Sequence, residues 1–182
     1  VAVDNDGYVY SCGYDKTVRK IDPNGNEIWK FEGHTGGVQS VAVDDNGCVY
    51  SGSFDKTVRK IDPNGNEVWK FSGHTGNVNG VAVDGNGYVY SCSFDKTVRK
   101  IDPNANEVWK FEGHTGSVES VAVDNDGCVY SGSNDKTVIK IDSNGNEVWK
   151  FEGHTSTVWG VAVDDNGYVY SGSSDKTVRK IG

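Results

Sequence analysis

Glu67-Val-Trp-Lys-Phe-Ser-Gly-His-Thr-Gly-Asn-Val-Asn-Gly-Val-Ala-Val-Asp84 decides the fold. It reads as a short apolar strand, a Gly-His turn and a second apolar strand, because Val, Trp and Phe favour extended backbone and Gly punctuates it. Related stretches begin at Glu27, Glu107 and Glu147. Val-Ala-Val-Asp recurs at Val1, Val41, Val81, Val121 and Val161, a period of 40 residues. The chain of 182 residues is therefore four full repeats and a partial fifth, Val161 to Gly182, or about 4.5 repeats. A period of this length is the mark of a repeat architecture, in which each unit hides its faces against its neighbours.

Each repeat predicts four strands, illustrated by the second. Strand a is Val38-Gln-Ser-Val-Ala-Val, closed by the turn Asp44-Asp-Asn-Gly47. Strand b is Cys48-Val-Tyr-Ser-Gly-Ser, closed by Phe54-Asp-Lys. Strand c is Thr57-Val-Arg-Lys-Ile-Asp, closed by Pro63-Asn-Gly-Asn, and strand d is Glu67-Val-Trp-Lys-Phe. Asn-Gly pairs favour tight hairpins, so the units should be antiparallel. Val-Ala-Val is apolar on both faces, which predicts strand a as the most buried; strand c, with Lys60 and Arg59, should be only partly covered. The fold class is all-β, with residues 1–182 forming one unit divided at 1–40, 41–80, 81–120, 121–160 and 161–182.

Composition narrows the function. A net charge of −8 repels phosphate backbones, so nucleic acid is not an expected partner. The local basic runs, such as Lys56 to Lys60, read as solvent faces of strands. No stretch approaches the ~20 apolar residues of a membrane span, so no membrane partner is expected. Cys12 and Cys92 stand where other repeats have Gly52, Gly132 and Gly172, and Cys48 and Cys128 stand where others have Tyr8, Tyr88 and Tyr168. They read as buried free thiols rather than disulfides or metal ligands, since no paired Cys spacing occurs. The chain holds no Met and Val1 falls inside a strand pattern, so an excised or engineered fragment is expected, with a cytoplasmic location.

Gly-His, a strand, Ser-Gly-Ser-Xaa-Asp and Thr-Val-Arg-Xaa-Xaa-Asp, all in phase, resemble the WD40 family of β-propellers over essentially all 182 residues. The resemblance implies four-stranded antiparallel blades around a channel and a non-enzymatic role in binding other proteins. Two departures stand out. The family's Trp-Asp is Ile-Asp at Ile21, Ile61, Ile101 and Ile141, and Trp lies in strand d instead, at Trp29, Trp69, Trp109 and Trp149. That second feature is similar to the blade motif of quinoprotein-type propellers.

The WD40 resemblance also implies a structural hydrogen-bond network in each blade. Its members would be His34 with Ser51 and Asp55, His74 with Ser91 and Asp95, His114 with Ser131 and Asp135, and His154 with Ser171 and Asp175. A Ser, His and Asp trio suggests a hydrolase, but four near-identical copies do not make one asymmetric catalytic pocket. No catalytic residue, cofactor or metal is expected. Asp62-Pro-Asn-Gly-Asn-Glu fails as a calcium loop, because Glu67 and Gly73 fall where an EF-hand needs Gly and Glu.

The repeats differ from one another mainly in their loops. Tyr14, Phe54, Phe94, Asn134 and Ser174 precede the turn Asp; Gln39, Asn79, Glu119 and Trp159 lie one position into strand a. By the resemblance these open onto one face and the channel, a candidate binding face for an unidentified protein partner. The alternative is packing between blades for Phe54 and Phe94, or a small ligand or glycan held by Asn79, Glu119 and Trp159 on a five-bladed monomer. The fifth repeat stops before strand d, eighteen residues short of completing five repeats. A bare apolar edge invites another chain, which predicts a homo-oligomer, most simply a dimer pooling eight to ten blades.

Overall fold

Each turn is built by the residues that the repeat keeps constant. Asp44 accepts hydrogen bonds from the backbone N–H of Asn46 (3.0 Å) and Cys48 (2.9 Å), while Gly47 takes φ +75°. Asp62 does the same for Asn64 and Asn66, with Gly65 at φ +90°. At the third copy of this turn Ala105 occupies the left-handed conformation (φ +69°) that glycine takes in the others. With the turns set, the apolar segments between them pair in antiparallel meanders.

A computed structural model describes all of Val1–Gly182. Blade 1 contains β1 (Ala2–Val3), β2 (Val9–Cys12), β3 (Val18–Ile21) and β4 (Glu27–Phe31). Blade 2 contains β5 (Val38–Val43), β6 (Val49–Ser53), β7 (Val58–Ile61) and β8 (Glu67–Phe71). Blade 3 contains β9 (Val78–Val83), β10 (Val89–Ser93), β11 (Val98–Ile101) and β12 (Glu107–Phe111). Blade 4 contains β13 (Val118–Val123), β14 (Val129–Ser133), β15 (Val138–Ile141) and β16 (Glu147–Phe151). Blade 5 has three strands, β17 (Val158–Val163), β18 (Val169–Ser173) and β19 (Val178–Ile181). The protein is all-β, and no helix is long and apolar enough to cross a membrane. Strand order follows sequence order in every blade. A bulge between Lys60 and Ile61, repeated in blades 1, 3 and 4, shifts the register of the third and fourth strands.

The core lies between blades. One layer joins Tyr50, Val58 and Phe71 of blade 2 to Val78, Val81, Val89 and Ile101 of blade 3. The deepest strand is the second, not the first: β6, β10 and β14 are buried at all five residues, while Ala42 and Val43 of β5 are only partly covered. The reason is position. The second strand has a neighbouring strand on each side and a blade on each face, whereas the first borders the central opening. The third strand is also more buried than its charges suggest, with Val58, Arg59 and Ile61 all covered. Of the cysteines only Cys92 is fully buried; Cys48 and Cys128 are partly exposed because the position they share with Tyr8 and Tyr88 faces the surface, and Cys12, at the position of Cys92, is only partly covered in blade 1, whose first strand is two residues long. Burial pushes all four thiols up, away from reactive thiolates.

The arc of five blades is open. Val18, Val58, Val98 and Val138 are fully buried beneath the blade that follows, yet the equivalent Val178 is 78% exposed. A Cβ at Gly52 or Gly132 would meet the next blade within 2.7 Å, whereas at Gly172 it would meet nothing within 4 Å. The first strands of blades 2 to 5 pack in succession, and β17 does not return onto β1. A closed five-bladed ring is thus not what this chain forms by itself.

Candidate functional site

Each Gly-His turn delivers an imidazole into the blade that follows it. Gly36 fits because it has no Cβ, which would strike the backbone N of Asp55 at 2.6 Å. His34 then lies between two partners: Nδ1 is 2.8 Å from Asp55 Oδ2, and Nε2 is 2.8 Å from Ser51 Oγ. An ionised carboxylate only accepts, so Nδ1–H donates to Asp55 and Nε2 accepts from the Ser51 hydroxyl. The same pairs form at His74, Asp95 and Ser91, at His114, Asp135 and Ser131, and at His154, Asp175 and Ser171. Asp55 also accepts from the Thr35 N–H (3.0 Å) and the Thr57 hydroxyl (2.6 Å). The cluster therefore ties the loop between blades to the turn of strands two and three. Ser51, Ser91, Ser131 and Ser171 are buried, so their hydroxyls face no substrate opening. No group of His, Cys, Asp and Glu converges in a way that could hold a metal ion.

Electrostatics follow the geometry. Burial alone would raise the Asp55 carboxyl, but hydrogen bonds from Thr57, His34 and Thr35 overcome it and hold it at about 2. Asp95 and Asp135 are likewise held well below the usual carboxylate range, against burial, by His and Thr donors. Burial pushes His34 below its ordinary value despite Asp55 beside it, which keeps the imidazole neutral.

Two further contacts recur that the repeat pattern alone did not reveal. Arg59 in β7 reaches Glu67 in β8 (2.5 Å), Arg19 reaches Glu27 (2.5 Å), and Arg99 pairs with Glu107. The indole N–H of Trp29 donates to the Pro63 carbonyl of the next blade (3.0 Å); Trp69 donates to Pro103 (3.0 Å) and Trp109 to Ser143 (3.1 Å). These indoles latch each blade to its successor.

The residues that vary between repeats gather near the Gly-His turns. Tyr14 and Phe54 meet edge to face with ring centroids 5.6 Å apart. Tyr14, Phe94 and Trp159 are 76%, 65% and 59% exposed, Gln39, Asn134 and Ser174 are exposed, and Phe54 is half-buried. Trp159 donates to Ser174 Oγ (2.5 Å). Asn79 donates to Ser117 Oγ (3.1 Å), the Val118 carbonyl (2.9 Å) and Glu119 (3.1 Å), so these polar groups satisfy one another across neighbouring blades.

The sequence profile described as outer membrane protein assembly factor BamB (PQQ_2) matches residues 54–158, more than half of the chain. The WD domain, G-beta repeat (WD40) profile matches residues 25–62 and 145–180. The chain belongs to the β-propeller repeat proteins. Among solved structures, the propeller is similar to the WD40 domain of Doa1, with 27% identity and a TM-score of 0.88 over 97% of this chain and 60% of that one. It is also similar to the computationally designed Ika8 protein, with 29% identity and a TM-score of 0.85 over 95% of this chain and 54% of that one. The propeller thus spans less than two thirds of either relative's length. No curated protein matches it. WD40 propellers typically work as non-enzymatic platforms for protein–protein interaction.

The His clusters make the propeller acid-sensitive. Asp55 has a folded pKa below its unfolded one, so its contribution is present above about pH 4 and lost as pH falls through about 2. His34 has a folded pKa below about 6.5, so protonation favours the unfolded chain and the loss begins below that pH. The two effects share a sign. Discounted for solvent screening, each buried Asp should contribute about 1–2 kcal/mol. Urea titrations should show stability falling steadily from pH 7 to pH 3. A flat profile over that range would remove the ionic role of the clusters.

Proposed function

We propose that residues 1–182 act as one non-enzymatic interaction scaffold that assembles with copies of itself into a closed ring, most simply a dimer. One observation carries the reading. Val178 is 78% exposed where four equivalent valines are fully buried, so blade 5 presents the face that every other blade covers. Around it lies an open hollow of about 450 Å³ lined by Trp159, Gly160, Gly172, Thr177 and Val178. A face that every other blade buries favours a partner when it is left exposed, and the faces at the two ends of the chain are built from the same repeat. Phe94, 65% exposed and outside that hollow, is then an aromatic position at which a further protein would bind. The polar groups of Asn79 and Glu119 are engaged with each other, which favours this reading over a small ligand or glycan there.

Light scattering behind a sizing column tests the assembly. A species of twice the chain mass is expected. Gly172→Leu, which adds bulk where the free chain has open space, should give a monomer with an unchanged melting temperature. Monomer alone for the unaltered chain at every concentration would sink the proposal.

A further inference from the structure

Three unmatched groups, one in blade 5, one in blade 4 and one in blade 1, together point to what completes blade 5. Arg179 has no acidic partner, and its buried Nε lacks even the threonine hydroxyl that takes the Nε of Arg59 and Arg99. Its equivalents Arg19, Arg59 and Arg99 all reach a glutamate at the start of the fourth strand. Trp149 makes no indole bond of the kind that Trp29, Trp69 and Trp109 make to the next blade. At the other end, Pro23 occupies the turn position of Pro63 and Pro103, and its carbonyl accepts no indole in this structure. What blade 5 needs is a strand that begins with Glu and follows a turn with a free carbonyl, and β4 with its turn at residues 22–26 is such a strand.

We infer that blade 5 is completed by β4 of a second copy, displacing that copy's own β1–β3. The inference rests on the self-assembly proposed above and names its mechanism. Residues 161–182 and 1–22 differ at only six positions, and Val-Arg-Lys-Ile, the strand that pairs with β4, is the same in both. The exchange therefore preserves every ladder bond of β4. It also improves the blade. β1 has two residues and Asp15 has no histidine partner, whereas β17 has six residues and Asp175 is bound by His154. Arg179 gains Glu27, Trp149 gains the Pro23 carbonyl, and Val178 comes to face blade 2 of the second copy, as Val18 does now. Each chain then supplies three whole blades and two parts of shared ones, so that two chains close an eight-bladed ring. Eight lies within the usual range for propellers.

Charge reversal and limited trypsin digestion test the exchange on the full chain. Arg179→Glu should weaken the dimer by roughly tenfold per shared blade, about a hundredfold for two. Adding Glu27→Arg should restore it, since the matched pair exists only between copies, whereas within one chain the second change sets a positive charge against Arg19. Trypsin should cut after Lys16, Arg19 or Lys20 in the displaced segment, with the dimer surviving the cut. A dimer whose first 22 residues resist cleavage and whose charge reversal is not rescued would overturn the exchange while leaving self-assembly standing. A monomer at every concentration would overturn both.

Discussion

His74→Ala lowers the melting temperature by roughly 6–12 °C, the largest loss expected from any one side chain of the blade network. The imidazole is buried and binds two groups that are themselves buried, Ser91 Oγ at 2.8 Å and Asp95 Oδ2 at 2.9 Å. Truncation leaves a hydroxyl and a carboxylate oxygen without their partner and opens a cavity beside Phe71, whose ring stands edge-on to the imidazole at 6.4 Å. Orphaned buried groups cost about 1–3 kcal/mol each, and with the cavity the sum is about 3 kcal/mol. For a domain of this size that corresponds to roughly 2–4 °C per kcal/mol. Ser91→Ala removes only one neutral hydrogen bond and should cost about 1 kcal/mol. Hydrogen exchange should quicken first in the loop before β9 and the turn after β10, the two segments that the imidazole joins. Equal melting of His74→Ala and the unaltered chain would remove the histidine from the set of stabilising groups.

The period, the four strands per repeat and the His, Ser and Asp positions were legible because they are local or recur in phase. Contacts that depend on register or on the angle between blades were not. Arg59 and Glu67 lie on adjacent strands, but a bulge after Lys60 decides that their side chains meet, and no residue pattern announces that bulge. Trp29 reaches Pro63 34 residues away only because successive blades stack at a fixed offset. The depth ranking of strands failed for a related reason. Hydrophobicity marks Val-Ala-Val as suited to burial, yet burial is set by how many neighbours a strand has. Tyr50 shows the opposite case: its ring is wholly buried while its hydroxyl donates to Asp44 (2.9 Å), a pair six residues apart in every repeat that the sequence displays plainly once its geometry is known.

Gly132→Leu should cost about 3 kcal/mol, because the seam between blades 4 and 5 has no room for a side chain at that point. A Cβ alone would lie 2.7 Å from Val158 Cγ1 and 3.0 Å from Val161 Cγ1, both on β17. Val158 is fully buried and cannot move aside, so the blades must separate. The same position in blade 3 is Cys92, and its cross-strand neighbour explains how it fits. Gly132 faces Ser120 and Gly52 faces Ser40, but Cys92 faces Gly80. The two positions share a fixed volume: a small residue on one strand allows a larger one on the other. Ser120 uses its share to accept a hydrogen bond from Val161 N (3.1 Å), and Ser40 does so from Val81 N (3.2 Å). Gly132→Cys combined with Ser120→Gly reproduces the blade 3 pair and should cost less than about 1.5 kcal/mol, as volume-conserving exchanges do. Val158→Ala should recover part of the loss in Gly132→Leu by making space across the seam. Urea melts of these variants decide the point: if Gly132→Leu is as stable as the unaltered chain, the blades slide freely and the seam is not close-packed.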